Sequence, residues 1–272
     1  YQRVFAARSP KQARNAMLIS VAIWLAYDWL VTAGGMLARA GVASGALPAD
    51  LHPNDALLAA HPGLRVEVVE VESAGDVDLQ TPLVQMGEIG IFTKTLEAAL
   101  LGGKIDLAVH SLKDVPAALA DDTEIAAVSE REDPRDVIFL RKGERFEDLP
   151  EGAVVATGSL RRRAQMRVAR PDLQMVALRG NLNTRWRKFT EGQFDAMVLA
   201  AAGVLRLGWA DRITSYMPTD LLLPAVAQGI VGVQGVKGSG ATELARAVTH
   251  VDTHARARSE RSLLAAVAGG CV

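Results

Sequence analysis

The sequence of 272 residues contains a single cysteine, Cys271, and has a formal net charge of only −1. One cysteine excludes an internal disulfide, which fits a reducing compartment and leaves Cys271 free for chemistry. The small net charge excludes a polycation that seeks nucleic acid through bulk charge. We therefore expect a cytoplasmic protein without a nucleic-acid partner.

Motifs for metals, nucleotides and secretion are also missing. The glycine-containing turns match neither a Walker loop nor a dinucleotide fingerprint. The five histidines show no metal-ligand spacing, so we expect no metal site, and His110 fits a hydrogen-bonded structural residue better than a ligand. No signal peptide with a basic start is present, and the start at Tyr1 and the stop at Val272 are compatible with fragment boundaries.

One apolar stretch, 16–38, is long enough to span a membrane. Asp28 near its middle would be costly in lipid, and Arg14 and Arg39 flank both ends without giving an orientation. We predict a helix buried in the protein and no membrane partner. A membrane-associated variant is the alternative.

Strand-like and helix-like segments alternate along the chain. This order predicts an α/β fold with mostly parallel sheets and right-handed crossovers. The predicted strands are 65–71, 105–109, 153–156, 175–178 and 196–201, and the predicted helices are 92–101, 183–189 and two within 241–267.

Two stretches are typical of crossings between lobes. The charged segment 130–136 reads as a hinge and 224–229 as the return. We therefore predict a discontinuous first lobe from 1–130 and 229–247, a second lobe from 131–228, and a ligand cleft between them.

Lys113 and Asp114 lie just beyond the carboxyl end of the predicted strand 105–109, after three intervening residues. The carboxyl end of a strand is where open α/β sheets place ligand chemistry. A lysine there holds an anion, and an aspartate stabilises a cation or moves a proton. Taken alone, such a pair is more often an exposed ion pair on a loop.

Basic and hydroxyl residues gather where predicted helices begin in the second lobe. Helix N-termini carry partial positive charge and free N–H groups, and arginine binds carboxylate or phosphate in bidentate fashion. The pattern predicts a site for several carboxylates or phosphates. Its members are Thr157, Gly158, Ser159, Arg161, Arg162, Arg179, Arg185 and Arg206, with Arg163 expected to point outward.

Taken together, the motifs resemble the hydroxymethylbilane synthase (porphobilinogen deaminase) family from about His61 to Cys271. The resemblance rests on a long and specific set. Its motifs are Gly75-Asp76, Gly90–Lys94, His110–Pro116, Glu130–Asp136, Gly158–Arg162, Leu178–Asn181, Thr184-Arg185, Ala202-Gly203, Arg206–Gly208, Pro224–Gly229, Glu260-Arg261 and Gly269–Cys271.

This resemblance implies a transferase of heme and tetrapyrrole biosynthesis. It joins four porphobilinogen molecules head to tail, with release of ammonia, on a dipyrromethane cofactor held by a thioether to Cys271. Asp114 would be the catalytic carboxylate that stabilises the electron-poor pyrrole left by ammonia loss. The implied cofactor contacts are Lys113, Ser111, Thr157, Ser159, Arg161, Arg162, Arg179, Gly180 and Arg185, and the implied substrate contacts are Ser9, Arg8, Arg206 and Gln228.

The implied fold has two lobes like type II periplasmic binding proteins, with a central cleft. A truncated third α/β domain at 248–272 would carry the cysteine, and a monomer is expected.

Two departures from the family pattern motivate a second hypothesis. Ala7 stands in place of a family arginine, with Arg8 one position away, and Ile89 stands in place of a family lysine. The expected truncation of the third domain just after Cys271 favours the same hypothesis. The stretch between Pro10 and His61, longer than a helix and a short loop require, is a separate departure. The alternative is a non-catalytic two-lobe protein that binds a small multi-carboxylate ligand.

Overall fold

The computed structural model describes residues 4–6, 69–71 and 93–267. The predicted site residues Arg8, Ser9 and Cys271, the departures at Ala7 and Ile89, and the apolar stretch 16–38 lie outside the described residues. Among the residues that are described, no helix is long and apolar enough to cross a membrane.

Strands and α-helices alternate between residues 154 and 206, whereas the strands between 107 and 156 follow one another without an intervening α-helix. The strands are β1 (Val4–Ala6), β2 (Val69–Val71), β3 (Leu107–Ser111), β4 (Thr123–Val128), β5 (Asp136–Leu140), β6 (Val154–Ala156), β7 (Gln174–Val176), β8 (Ala196–Ala200), β9 (Ser215–Tyr216) and β10 (Val231–Val236). The helices are α1 (Lys94–Leu101), α2 (Leu160–Ala169), α3 (Leu182–Thr190), α4 (Ala201–Arg206), α5 (Gly240–Arg246) and α6 (Val251–Ala266).

The described residues form two compact units. The first contains those up to Arg131 and from Ile230 onward, and the second runs from Glu132 to Gly229. Each unit combines a sheet with helices, which confirms the predicted α/β class. The predicted cleft, lobe boundaries and third domain stay predictions.

The sheet of the first unit has the order β2-β1-β3-β10-β4, and all of its neighbouring strands are antiparallel. The expectation of mostly parallel sheets is therefore wrong for this unit. Part of the reason is β10, which enters the sheet between β3 and β4 and runs opposite to both, pairing Val231 with Ser111 and Gly232 with Val128. Strand β1 is likewise antiparallel to β2 and β3. The carboxyl ends of β3 and β4 consequently lie at one edge, where β10 begins.

The sheet of the second unit has the order β7-β6-β8-β5-β9. Strands β7, β6 and β8 are parallel, as predicted, whereas β5 is antiparallel to β8 and β9. Asp136 pairs with Ala200, so β5 begins beside the carboxyl end of β8. The segments that follow β6, β7 and β8 and the segment that precedes β5 therefore lie at the same edge of the sheet.

Aromatic packing fixes α3 against this second sheet. The Phe139 and Trp186 ring centroids lie 5.5 Å apart, and Trp186 and Phe189 lie 5.6 Å apart. Each such pair contributes about 0.5–1.5 kcal/mol beyond burial. On α2, Met166 is buried in a separate cluster with Ile138. Both helices are thus held with their first turns at the edge described above.

Candidate active site

The turn that carries Asp114 is anchored by buried residues on both sides. Leu112 and Val115 are each 1% exposed, and Leu112 N donates to Ile230 O at 3.0 Å. Between them, Lys113 and Asp114 lie in a short 3-10 helix and are partly exposed. The apolar anchors therefore leave the lysine and the aspartate at the end of β3 accessible to a ligand.

Within the described part of the chain, no side chain or backbone group forms a hydrogen bond or ion pair with the Asp114 carboxylate. An aspartate without such partners keeps all of its acceptor sites available. Asp136, by contrast, accepts hydrogen bonds from Arg161, Arg162 and Gln228, as a carboxylate that stabilises the fold does.

His110 lies one residue before Ser111 and is buried. Its Nε2 donates to Gln234 Oε1 at 2.8 Å. Burial lowers the pKa of His110 to about 4, so the ring is neutral at pH 7. Gln234 in turn donates to Glu97 at 3.0 Å and to Thr123 at 2.9 Å. The network ties β3, β10 and α1 together, which confirms the structural role expected for His110.

Two loops meet at the edge of the second unit. Thr157, directly after β6, donates its N–H to Val176 O at 3.0 Å. A Cβ atom at Gly158 would lie 2.7 Å from Leu178 O, so only glycine allows this approach. The segments that follow β6 and β7 therefore lie against each other at this edge.

Each of these loops opens a capped helix. Ser159 is the N-cap of α2 and accepts from Arg162 N at 3.4 Å. Asn181 is the N-cap of α3 and accepts from Thr184 N at 2.8 Å. Each cap uses one N–H and leaves the helix dipole and other first-turn N–H groups at the edge.

Arg161 and Arg162 share one buried carboxylate, which belongs to Asp136. Arg161 Nη2 donates to Oδ2 at 2.6 Å and Arg162 Nη2 to Oδ1 at 2.7 Å. Arg162 also donates to Val198 O at 3.2 Å, and Arg161 donates to Leu223 O. Sequence reasoning placed Asp136 in a hinge segment and in a motif of the resemblance but missed this role. The available signal was a carboxylate at the start of a strand, opposite a basic cluster.

Burial and charge act in opposite directions on this cluster. Burial alone would raise the pKa of Asp136, but Arg162 and Arg161 outweigh it, and the pKa is lowered from 3.8. Burial also lowers the pKa of Arg161, against the opposing effect of Asp136. Two cations and one anion leave positive charge at the edge of the sheet.

Arg185 and Gly180 are brought together in the loop before α3. Arg185 Nε donates to Gly180 O at 2.7 Å. Gly180 has a φ of +105°, and a Cβ atom there would lie 2.8 Å from Thr184 Cγ2. Arg179 is partly exposed beside it, and its carbonyl accepts from Lys188 Nζ at 3.4 Å.

The two predicted substrate contacts in the second unit are turned toward its backbone. Arg206 donates to Gly229 O at 3.1 Å, and burial lowers its pKa to about 10, against the charge of Glu132. Gln228 is 1% exposed and donates to Pro134 O at 2.6 Å and to Asp136 Oδ1 at 2.9 Å. Their contact with substrate stays a prediction.

Arg261, on α6, is a further residue whose place sequence reasoning missed. Its guanidinium donates to the carbonyls of Val115, Pro116 and Ala117, immediately after Asp114. The sequence offered only its membership of a motif, because a contact across more than a hundred residues has no local signal.

The second unit therefore presents a donor set suited to carboxylates. It combines two helix N-termini, hydroxyl groups and guanidiniums at one sheet edge, which are the groups that bind several acidic arms at once. In the described residues no group of three or more histidine, cysteine or acidic side chains is placed to hold a metal ion.

Comparisons with known proteins agree with this chemistry. Residues 49–243 match the family described as porphobilinogen deaminase, dipyromethane cofactor binding domain. A porphobilinogen deaminase of Syntrophobacter fumaroxidans is 50% identical over 217 residues, covering 79% of this chain and 70% of that protein. One from Geobacter sulfurreducens is 46% identical over 212 residues, covering 78% of this chain and 66% of that protein.

Solved structures give weaker likeness. A periplasmic substrate-binding protein of an ABC transporter from Coxiella burnetii aligns with a TM-score of 0.44 and 12% identity, over 84% of this chain and 91% of that one. A score below 0.5 does not establish a shared fold. The sequence matches, by contrast, confirm the predicted resemblance, the transferase class, the hydroxymethylbilane synthase function and the dipyrromethane cofactor.

Proposed function

The chain belongs to the porphobilinogen deaminase family, and from this premise we propose that Asp114 is its catalytic carboxylate. The observation that carries the assignment is the position of Asp114: it follows β3 directly, is partly exposed between two buried anchors, and has no partner in the described part of the chain. Lys113 beside it supplies a cation for an acidic arm of the ligand.

The reaction explains why a carboxylate is needed there. Porphobilinogen loses ammonia before each carbon–carbon bond forms, and the remaining pyrrole is electron-poor and positively charged. A fixed carboxylate near the pyrrole nitrogen stabilises that charge and accepts or returns a proton. Four porphobilinogen molecules are joined head to tail by the same reaction, so the same Asp114 carboxylate would serve every step.

We propose that the arginine-rich edge of the second unit holds the acidic arms of the cofactor and that Cys271 forms the thioether to it. When bound, dipyrromethane supplies the primer to which the first substrate is joined. The proposed contacts are Ser111, Lys113, Thr157, Ser159, Arg161, Arg162, Arg179, Gly180 and Arg185. Arg8, Ser9, Arg206 and Gln228 are proposed to contact substrate.

The organisation of the whole chain belongs to the same proposal. It places lobe one at 1–130 and 229–247, lobe two at 131–228, a cleft between the lobes, and a cofactor-carrying third domain at 248–272. We also propose a cytoplasmic monomer without nucleic-acid or membrane partners. The single cysteine supports a reducing compartment, and the small net charge argues against a nucleic-acid partner. Light scattering of the purified protein and cell fractionation test these last points.

Asp114→Asn tests the catalytic assignment. It keeps the size of the side chain and removes the charge, so ammonia release from porphobilinogen should fall by at least about 10²-fold. Asp121→Asn, at an exposed position of the same unit, should keep wild-type turnover. Turnover of Asp114→Asn within a few-fold of wild type, with both variants folded by circular dichroism, contradicts the assignment.

Cys271→Ser tests the attachment of the cofactor. The intact mass of the wild-type protein under denaturing conditions should exceed the sequence mass by two linked pyrrole units, and the variant should show none of this excess. The same excess over the sequence mass in both proteins, or no excess in either, would argue against a thioether at Cys271.

A further inference from the structure

We propose that Arg261 is a positioning residue for the reaction: it holds the backbone that follows Asp114 and so fixes where the Asp114 carboxylate points. The inference rests on the proposed catalytic role of Asp114. Helix α6, which precedes Cys271 in the sequence, would then also support the backbone next to Asp114.

The geometry is a fork across three successive carbonyls. Arg261 Nη1 donates to Val115 O at 2.9 Å, and Nη2 donates to Pro116 O at 2.6 Å and Ala117 O at 3.2 Å. A planar guanidinium with several fixed donors suits this arrangement, whereas a lysine offers one point charge. Pro116 has no N–H group, so this stretch cannot be held by an uninterrupted backbone ladder.

The chemistry of the contact favours positioning over simple stabilisation. Burial lowers the pKa of Arg261, which shows that its charge is partly removed from water. In the described residues it forms no ion pair, and its acceptors are neutral carbonyls. A well-packed apolar side chain usually stabilises a fold as well as a buried charge does, so the advantage of arginine here is its directional donors.

Arg261 acts from a helix that is itself anchored to the first unit. Glu260, the preceding residue, forms an ion pair with Arg131. Arg131 N donates to Thr253 Oγ1 at 3.2 Å, and His250 N donates to Val128 O at 2.9 Å. The start and the middle of α6 are therefore fixed to the carboxyl end of β4 and to the segment that follows it. Arg261 extends from this anchored helix.

The consequence is a mechanical link between α6 and the backbone that carries the proposed catalytic carboxylate. Asp114 and the residues held by Arg261 are contiguous, and Cys271 follows α6 closely along the chain. Displacement of the backbone at Val115 by a fraction of an ångström would move the carboxylate relative to the pyrrole nitrogens. Misplacement by about 1 Å can reduce rates about 10²-fold.

The test compares Arg261→Gln, Arg261→Lys and the matched control Arg256→Gln, which changes an exposed arginine on the same helix. Hydrogen–deuterium exchange of peptides covering 112–118 and steady-state kinetics of the cofactor-loaded proteins are measured. For Arg261→Gln we expect exchange in 112–118 to be about tenfold faster and kcat to fall about ten- to a hundredfold, with KM within about twofold.

Arg261→Lys should be intermediate in both measurements, because it keeps the charge without the fork, and Arg256→Gln should match wild type. Exchange in 112–118 unchanged in Arg261→Gln, or raised equally throughout the first unit, overturns the proposal, and so does full recovery by lysine. If Arg261→Gln does not fold, Arg261→Lys decides by the same criteria.

The two proposals fail in distinguishable ways. Wild-type protein that carries the cofactor but releases no ammonia would refute the proposed function. Faster exchange confined to 112–118 in Arg261→Gln would still show that Arg261 holds the backbone after Asp114. Normal kcat in Arg261→Gln with fast local exchange would refute positioning and leave the role of Asp114 intact.

Discussion

Replacement of Asp136 by asparagine tests the buried charge cluster that shapes the arginine-rich edge. The carboxylate is 0% exposed and accepts from Arg161, Arg162 and Gln228. Asparagine has nearly the same volume, so packing is retained while the negative charge is lost. One carboxylate oxygen also becomes an NH₂ group that cannot accept a hydrogen bond.

The size of the effect follows from which arginine can reach water. Removing one partner of a buried ion pair costs about 3–5 kcal/mol, because the other charge stays buried without compensation. Arg162 is 6% exposed and bears this cost, whereas the Arg161 side chain is 23% exposed and can be hydrated in part. We therefore expect a loss near the lower end, about 3 kcal/mol.

Urea unfolding followed by circular dichroism at pH 7 measures this loss. Asp211→Asn, which changes an exposed aspartate of the same unit, is the matched control and should differ from wild type by less than about 0.5 kcal/mol. A loss below about 1 kcal/mol for Asp136→Asn would refute the reasoning, since it would mean that Arg162 finds other compensation.

The pH dependence gives an independent check. The pKa of Asp136 is lowered below its ordinary 3.8 in the folded protein, because the two arginines outweigh burial. The unfolded chain therefore binds the proton first as the solution is acidified. The contribution of Asp136 is complete above the unfolded value and is lost as pH falls through the folded pKa, so the gap between wild type and Asp136→Asn should close in acid.

Two further predictions concern the supports of the site. Gly158→Ala places a Cβ atom 2.7 Å from Leu178 O and should cost about 1–3 kcal/mol in urea unfolding, whereas Gly203→Ala, where the Cβ would lie 3.5 Å from Leu182 Cδ1, should be tolerated. The pKa of His110 is lowered to about 4 from 6.5, so wild type should lose up to about 3 kcal/mol between pH 7 and pH 4 as the unfolded chain takes up the proton first. His110→Gln should lack that loss, and equal slopes for the two proteins would contradict it.

The elements that sequence reasoning found are those with strong local signals. The predicted strand 196–201 corresponds to β8 (Ala196–Ala200), and the predicted helix 183–189 lies within α3 (Leu182–Thr190). Both combine an apolar run or stripe with a clear punctuation residue, such as the N-cap Asn181. Burial on the sheet then reinforced the local preference.

The direction of the strands could not be predicted from their order along the chain. Alternation of strands and helices favours parallel pairing only when consecutive strands share one sheet. Here β5 and β10 each begin near the division between the units at Arg131 and Gly229 and run antiparallel to the strands beside them. Which sheet a strand joins depends on long-range packing, which no local pattern encodes.

The site divides in the same way. The location of Thr157, Ser159 and Arg179 at one sheet edge could be predicted, because the carboxyl ends of the parallel strands β6 and β7 meet there; their contact with the cofactor stays a prediction. The contacts of Asp136 and Arg261 could not be predicted, because each acts on a segment that is distant in sequence. Composition shows that a carboxylate or a guanidinium is present, but its partner depends on the completed fold.

Folding and ligand binding make opposite demands on the arginine-rich edge. Several guanidiniums at one sheet edge are needed to hold a ligand with many carboxylates, yet their mutual repulsion and burial oppose folding before the ligand arrives. Asp136 reduces this conflict because its buried carboxylate forms ion pairs with Arg161 and Arg162 and so compensates their positive charge inside the unit. Arg179 precedes α3 and Arg185 lies in its first turn, and both side chains are partly exposed. We therefore expect this one internal carboxylate to let the unit fold while the edge stays able to bind the acidic arms of the proposed cofactor.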